Sequence, residues 1–218
     1  MQMITAAQRS IVLASGSPRR LELCQRIGLE PLVRVSDIPE QQATGESPGE
    51  YACRLARDKA SAVAQTIEED RDLPGWILSA DTIVVHDDEV LEKPVDKADA
   101  RQMLRRLSGE RHEVITAFCW IWRAPGVGKA EHKVAVRDIR SAVWLRELSD
   151  QTIANYVDTG EPMDKAGSYG IQDVGGVLVR KNEGSYFTIV GLPVCEVMET
   201  LDELGGLGAY PFVDEEGR

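Results

Sequence analysis

Residues 11–20 read Ile-Val-Leu-Ala-Ser-Gly-Ser-Pro-Arg-Arg, an apolar run that stops at two hydroxyls, a glycine, a proline and two arginines. The pattern predicts a strand over about 10–15, a helix from Pro18 to Ile27 stopped by Gly28, and a second strand near 31–36. Strand, helix and strand at this spacing suggest parallel pairing and an α/β fold. Ser17 stands at the N-cap and Pro18 at the first helical position, where unpaired N–H groups carry the positive end of the helix dipole. Arg19 and Arg20 add fixed charge, Gly16 permits close backbone approach, and phosphate is the natural guest. A bare capped helix with solvated arginines is the plainer reading of the same residues, so the rest of the chain must decide.

The chain has 218 residues and a mass of 24.0 kDa, enough for a single domain over 1–218, in which a core from about 9 to 205 precedes a loose polar tail. No stretch approaches the roughly 18 apolar residues that span a bilayer. The N-terminus lacks the charged and apolar regions of a secretory signal, so a cytoplasmic protein without membrane partners is expected. Cys24, Cys53, Cys119 and Cys195 are widely spaced and read as reduced core residues. A net charge of -11 argues against nucleic acid as a partner. A small anionic substrate then needs a concentrated basic site.

Such a site is available. Ser47-Pro48-Gly49-Glu50 is a capping box that opens a helix over about 48–66. On it Tyr51, Ala52, Leu55, Ala56 and Val63 form the apolar arc, and Lys59 falls in its middle, where it must snorkel, pair with a carboxylate or face an anion in a cleft. Residues 76–85 form a strand that is apolar except for Asp81-Thr82 at its centre, an expensive place for an acid unless it is paired, bonded or bound to metal. A polar turn then leads to a short extended segment, 90–94, with Lys93.

Asp96 caps a helix to Leu107, and strands near 112–123 and 130–145, joined by a turn at 124–129, form a hairpin that makes the sheet mixed. Ser149 caps another helix that closes at Gly160, and the glycine-punctuated loop 161–172 carries Lys165, Tyr169 and Gln172. Strands near 177–181 and 185–190 and a helix from Pro193 to Leu204 complete the prediction.

Gly126-Val127-Gly128-Lys129 fails as a P-loop because Arg123 and Ala130 stand where glycine and Ser or Thr are required. Dinucleotide, zincin and serine-hydrolase motifs are missing too. What remains is the cationic set Arg19, Arg20, Lys59, Lys93 and Lys165 against Asp81 and Glu40, which suggests metal-assisted hydrolysis of a phosphoanhydride.

Leu-Ala-Ser-Gly-Ser-Pro-Arg-Arg at 13–20, Arg-Leu-Ala-Arg-Asp-Lys-Ala at 54–60, Ala-Asp-Thr-Ile-Val at 80–84, Glu-Lys-Pro at 92–94 and the segment 160–172 resemble, in order, the motifs of the Maf family, as does Val-Gly-Leu-Pro at 190–193. The resemblance implies a nucleoside triphosphate pyrophosphatase that uses Mg²⁺ or Mn²⁺. It also implies an inosine triphosphate pyrophosphatase-like fold, with a long twisted mixed sheet and two lobes around a cleft, and related proteins suggest a homodimer. Arg19, Thr82 and Gln172 match the branch acting on dTTP and UTP rather than the 7-methyl-GTP branch, which tends to carry Trp, Gln and Glu there, and Thr82 and Gln172 are suited to hydrogen-bonding a pyrimidine edge. By the same resemblance Asp81 is the catalytic proton acceptor, Glu40 is a metal ligand, and Arg19, Arg20, Lys59 and Lys93 match active-site residues. The expected site then has Asp81 sharing the metal with Glu40, and Ser15, Ser17 and Lys165 joining those cations in binding substrate. Asp173 and Ser168 depart from the usual glycine and alanine, and Asp173 adds negative charge beside the base-recognition loop. The alternatives are a nucleotide-binding regulator of cell division and septum formation without turnover, a 7-methyl-GTP pyrophosphatase, and a pyrophosphatase that clears modified nucleotides.

Overall fold

In a computed structural model that describes residues 9–67, 73–123 and 133–206, one mixed seven-stranded sheet organises the chain. The first half contains β1 (Ser10–Leu13), α1 (Pro18–Arg26), β2 (Glu30–Val33), α2 (Pro48–Thr66), β3 (Trp76–His86), β4 (Glu89–Leu91) and α3 (Lys97–Leu107). The second contains β5 (Arg111–Trp122), β6 (Lys133–Leu145), α4 (Asp150–Asp158), β7 (Val179–Glu183), α5 (Tyr186–Val190) and α6 (Val194–Glu203). The strands run in the order β2-β1-β3-β5-β6-β7. β1 pairs in parallel with β2 and β3, whereas the β3-β5-β6-β7 ladder is antiparallel. The predicted hairpin turn at 124–129 and most of the polar tail lie outside the described residues.

Side-chain alternation along β3 builds two cores. Ile77, Ile83 and Val85 pack with Tyr51, Leu55 and Val63 of α2, while Leu78 and Ala80 turn to the opposite face, towards Leu23 and Cys24 of α1 and Val197 and Leu201 of α6. A third cluster seats α3 and α4 against Val84, Val114 and Val143. Fully buried Phe118 and Trp120 anchor the second core, each stabilising the fold by about 1.5–3 kcal/mol or more through burial.

The local signals behave as their chemistry predicts. The Ser47–Glu50 capping box is present, and Asp96 and Ser149 cap α3 and α4. The four cysteines are free thiols, but only Cys24 and Cys119 are buried as expected of core residues; Cys53 is half-buried and Cys195, on α6, is exposed. Among the described residues no helix is long and apolar enough to cross a membrane.

Two predicted elements change. The strand placed at 177–181 shifts to Val179–Glu183, because Val174–Leu178 winds into a 3-10 turn. The strand placed at 185–190 is the helix α5. Tyr-Phe-Thr-Ile-Val favours strand by composition, and five residues carry too little periodicity to oppose that preference. Tertiary structure overrides it: Gly184 turns the chain at φ 101°, the helix lies across β5 and β6, and Gly191 closes it in the left-handed region at φ 115°.

The feature that positions the site is a break in one edge of β3. That edge pairs with β1 only at Ile77 and Leu78 and with β4 only from Val84 onwards. Ala80–Ile83 are therefore held by β5 on one side and open on the other, just beyond the carboxyl end of β1, the place where open α/β sheets receive ligands.

Candidate active site

A cavity of about 380 Å³ fills that break. It gathers all the singled-out side chains: Ser15, Ser17, Arg19, Arg20, Glu40, Lys59, Asp81, Thr82, Lys93, Lys165 and Gln172. Because Asp81 and Thr82 are adjacent on a strand, they address opposite faces of the sheet, and each meets a different cation.

Asp81 turns towards α2. Lys59 Nζ donates to Asp81 Oδ1 at 2.6 Å and lies 2.6 Å from Glu40 Oε1. Lys59 and Asp81 are 9% and 7% exposed, so the lysine does not snorkel to the surface; it pairs with carboxylates and lines the cavity at the same time. Burial works to raise the Glu40 pKa, but the hydrogen bond and charge of Lys59, with Lys93 and Arg20 farther off, hold it below the usual carboxylate range.

Thr82 turns towards α1 and Arg20. Arg20 Nε donates to the Gly191 carbonyl at 2.9 Å, Nη1 to Ser15 Oγ at 3.1 Å and Nη2 to Thr82 Oγ1 at 2.9 Å. Three of five guanidinium N–H groups are thus used, leaving one on each terminal nitrogen for a ligand. Ser15 Oγ also accepts from Ser17 N at 3.3 Å, so its own O–H remains to be donated. Ser17 occupies the N-cap of α1, but its side chain makes no capping bond, so the N–H groups of Arg19 and Arg20, which line the cavity, are left without a side-chain cap.

On the opposite wall, Asp164 ties two cations of distant origin. Its Oδ2 accepts from Arg19 Nη1 at 3.2 Å and its Oδ1 from Lys165 Nζ at 2.8 Å. Burial opposes its ionisation, yet Lys165 and then Arg19 hold its pKa below the usual value. Gln172 Oε1 is buried without a hydrogen-bond partner, an unused acceptor on the cavity wall. The loop behind it is held by Glu161, which accepts from Tyr156 Oη at 2.8 Å, Gly175 N at 2.9 Å and Val174 N at 3.1 Å. A Cβ on Gly175 would come within 2.4 Å of Tyr156 Oη, so only glycine fits this approach.

Of the two departures from the family pattern, Ser168 is fully buried at φ 62° with its hydroxyl on Met103 Sδ, and exposed Asp173 lies outside the cavity wall. The negative charge expected beside the base-recognition loop is there, next to Gln172 in the chain, but it does not line the cavity.

Sequence reading passed over two acids. Glu92 lines the cavity and accepts from Tyr51 Oη at 2.8 Å. Burial raises its pKa, and Asp81 and Glu40 push the same way against the Tyr51 bond. Asp164 was legible only as part of a loop motif. Neither position breaks an apolar pattern, so the signal that exposed Asp81 and Lys59 was absent. Thr82, expected to face a base, spends its hydroxyl on Arg20 and, at 2.9 Å, on Thr116.

The family model described as Maf-like protein matches residues 10–204. A dTTP/UTP pyrophosphatase of Geobacter sulfurreducens is 47% identical over 197 residues, covering 90% of this chain and 97% of the relative. Those of Shigella sonnei and Vibrio cholerae are 47% and 46% identical, covering 91% and 88% of this chain and 94% and 96% of theirs. Among solved structures, the Staphylococcus aureus Ham1 protein is similar at a TM-score of 0.46 and 12% identity, covering 89% of this chain and 99% of that one. With the family model spanning nearly all the described residues, and relatives close to half identical along most of their length, the chain belongs to the Maf-like protein family.

Proposed function

We propose that this protein hydrolyses dTTP and UTP to the nucleoside monophosphate and pyrophosphate. The observation that carries the reading is one cavity in which a buried aspartate on a broken sheet edge faces cations from four separate segments. The names of the relatives supply the substrate. A triphosphate of about four negative charges is met by Arg19, Arg20, Lys59, Lys93 and Lys165 despite the overall charge of -11, because short-range fields inside a cleft dominate over a screened distant one. Ser15 O–H and the open N-terminus of α1 complete the phosphate cradle.

In the chemical step Asp81, oriented by Lys59 through Oδ1, accepts a proton from water as the water oxygen bonds to the α-phosphorus. The bond from that phosphorus to the bridging oxygen breaks, and pyrophosphate leaves against the cations. The buried, unpaired Gln172 acceptor suits the imide N–H that uracil and thymine share and cytosine lacks, and an unpaired buried partner penalises the wrong base.

Asp81 and Glu40 fit a divalent cation such as Mg²⁺ or Mn²⁺: two hard oxygen donors already converge on a positive charge, and such ions take one or two carboxylates with phosphates and water. Bound there, the ion supplies Lewis-acid stabilisation of phosphate charge.

Pyrophosphate release from dTTP, UTP, CTP and 7-methyl-GTP tests the reading. Turnover of dTTP and UTP well above the other two is expected, and tight dTTP binding with no release from any nucleotide overturns it in favour of a nucleotide-responsive regulator.

A further inference from the structure

Thr116 lies opposite Thr82 in the β3–β5 ladder, is fully buried, and lines no part of the cavity. Its hydroxyl nevertheless sits in an unbroken chain. Thr116 Oγ1 donates to the Thr188 carbonyl at 2.7 Å, Thr82 and Thr116 hydroxyls are 2.9 Å apart, and Arg20 Nη2 donates to Thr82 Oγ1 at 2.9 Å.

The direction of every bond in this chain is forced by chemistry. A carbonyl only accepts, so the Thr116 hydrogen is spent on Thr188. The bond between the two hydroxyls must then be made with the Thr82 hydrogen. A guanidinium only donates, and the Thr82 oxygen offers it a lone pair. Thr82 consequently has no hydrogen left for a substrate, and Arg20 is held between two oxygens fixed by α5, the Gly191 carbonyl directly and the Thr188 carbonyl through two threonines.

We infer that Thr116 is a positioning residue for substrate binding: it fixes the polarity of the Thr82 hydroxyl, and through it the aim of the two remaining Arg20 N–H groups at the phosphates. The inference rests on the nucleotide-hydrolysing reading of the cavity. It assigns Thr82 a role in steering a cation rather than in touching the base. Without the Thr116 hydroxyl, the Thr82 hydrogen loses its acceptor and turns towards the cavity, the Thr188 carbonyl keeps only the Gly191 N–H at 3.1 Å, and Arg20 is released from its fixed angle. The loss falls on triphosphate binding, because Asp81 addresses the other face of the strand and keeps its Lys59 partner.

The test compares Thr116→Val, which keeps the shape and removes the hydroxyl, with Thr116→Ser, which keeps the hydroxyl, in the full-length protein. KM and kcat for dTTP and UTP are measured, together with dTTP affinity by calorimetric titration and the melting temperature. Thr116→Val is expected to raise KM and weaken dTTP binding about tenfold with kcat within about twofold, the size expected for one buried hydrogen bond. Thr116→Ser is expected to stay within about twofold of wild type in both. Unchanged KM and affinity in Thr116→Val overturn the inference, as does a fall in kcat that matches a fall in melting temperature, or a failure of serine to restore binding. If valine does not fold, Thr116→Ala removes the same hydroxyl and is read in the same way. A wild type that binds dTTP but releases no pyrophosphate defeats the enzymatic reading alone, since the titration still decides the role of Thr116.

Discussion

Lys59 Nζ lies 2.6 Å from Asp81 Oδ1, with both side chains almost out of water. The ammonium neutralises a carboxylate that the apolar strand could not otherwise hold, and it draws in Glu40 at the same distance. Replacing Lys59 by methionine leaves two carboxylates converging on no cation. Breaking a buried pair this way typically costs about 3–5 kcal/mol, and the partly exposed Glu40 puts the expected value at the lower end. Urea unfolding reads the loss, and pyrophosphate release should fall at least about a hundredfold, the typical weight of a positioned acid or base.

Asp81→Asn keeps an oxygen for Lys59 and removes the base. A drop in kcat of about 10²–10⁴ is expected with dTTP affinity largely retained. Single-turnover release and calorimetric titration separate the two effects.

Asp164 is more than half exposed and holds Arg19 and Lys165, two cations that a phosphate would otherwise use. Exposed ion pairs contribute at most about 1 kcal/mol, so Asp164→Asn should leave stability nearly unchanged. It should lower KM for dTTP a few-fold at low ionic strength, and the difference should shrink as salt is raised towards 1 M, where the Debye length falls to about 3 Å. A KM that rises instead shows that Asp164 aims the two cations rather than competing for them.

His112 gives the fold a pH dependence. Its ring bonds Tyr169 Oη at 2.7 Å through Nε2, its Nδ1 has no partner, and burial pushes its pKa down to about 3. A histidine whose folded pKa is depressed binds its proton in the unfolded chain first, so stability is complete above the unfolded value of about 6.5 and declines as pH falls towards 3. Urea midpoints measured from pH 7.5 to 4 should fall steeply for wild type and less for His112→Gln.

Gly191 adopts φ 115°, and a Cβ there would stand 3.2 Å from Thr82 Oγ1 and 3.7 Å from Arg20 Nε. Gly191→Ala should destabilise the fold by about 1 kcal/mol or more from the left-handed backbone alone, and should raise KM for dTTP by displacing the pair that alanine crowds. A melting curve and a Michaelis plot on the same preparation check both parts.

What the chain states by itself is local. The capping box at Ser47, the proline that opens α1, the lysine in the apolar arc of α2 and the aspartate in an apolar strand are each readable, because each breaks or obeys a periodicity within its own element. Those signals were enough to assemble the cationic set and its acid before any geometry. What tertiary structure decided is relational. It made residues 186–190 a helix against their strand-forming composition, because only a helix there packs on β5 and β6 and brings the Thr188 and Gly191 carbonyls to Thr116 and Arg20. It left the edge of β3 unpaired at Ala80–Ile83, a gap set by where two other strands stop rather than by any residue within it. It also turned Thr82 from an expected base contact into the acceptor that steers Arg20, since the direction of a hydroxyl is fixed by the partners that the fold places around it.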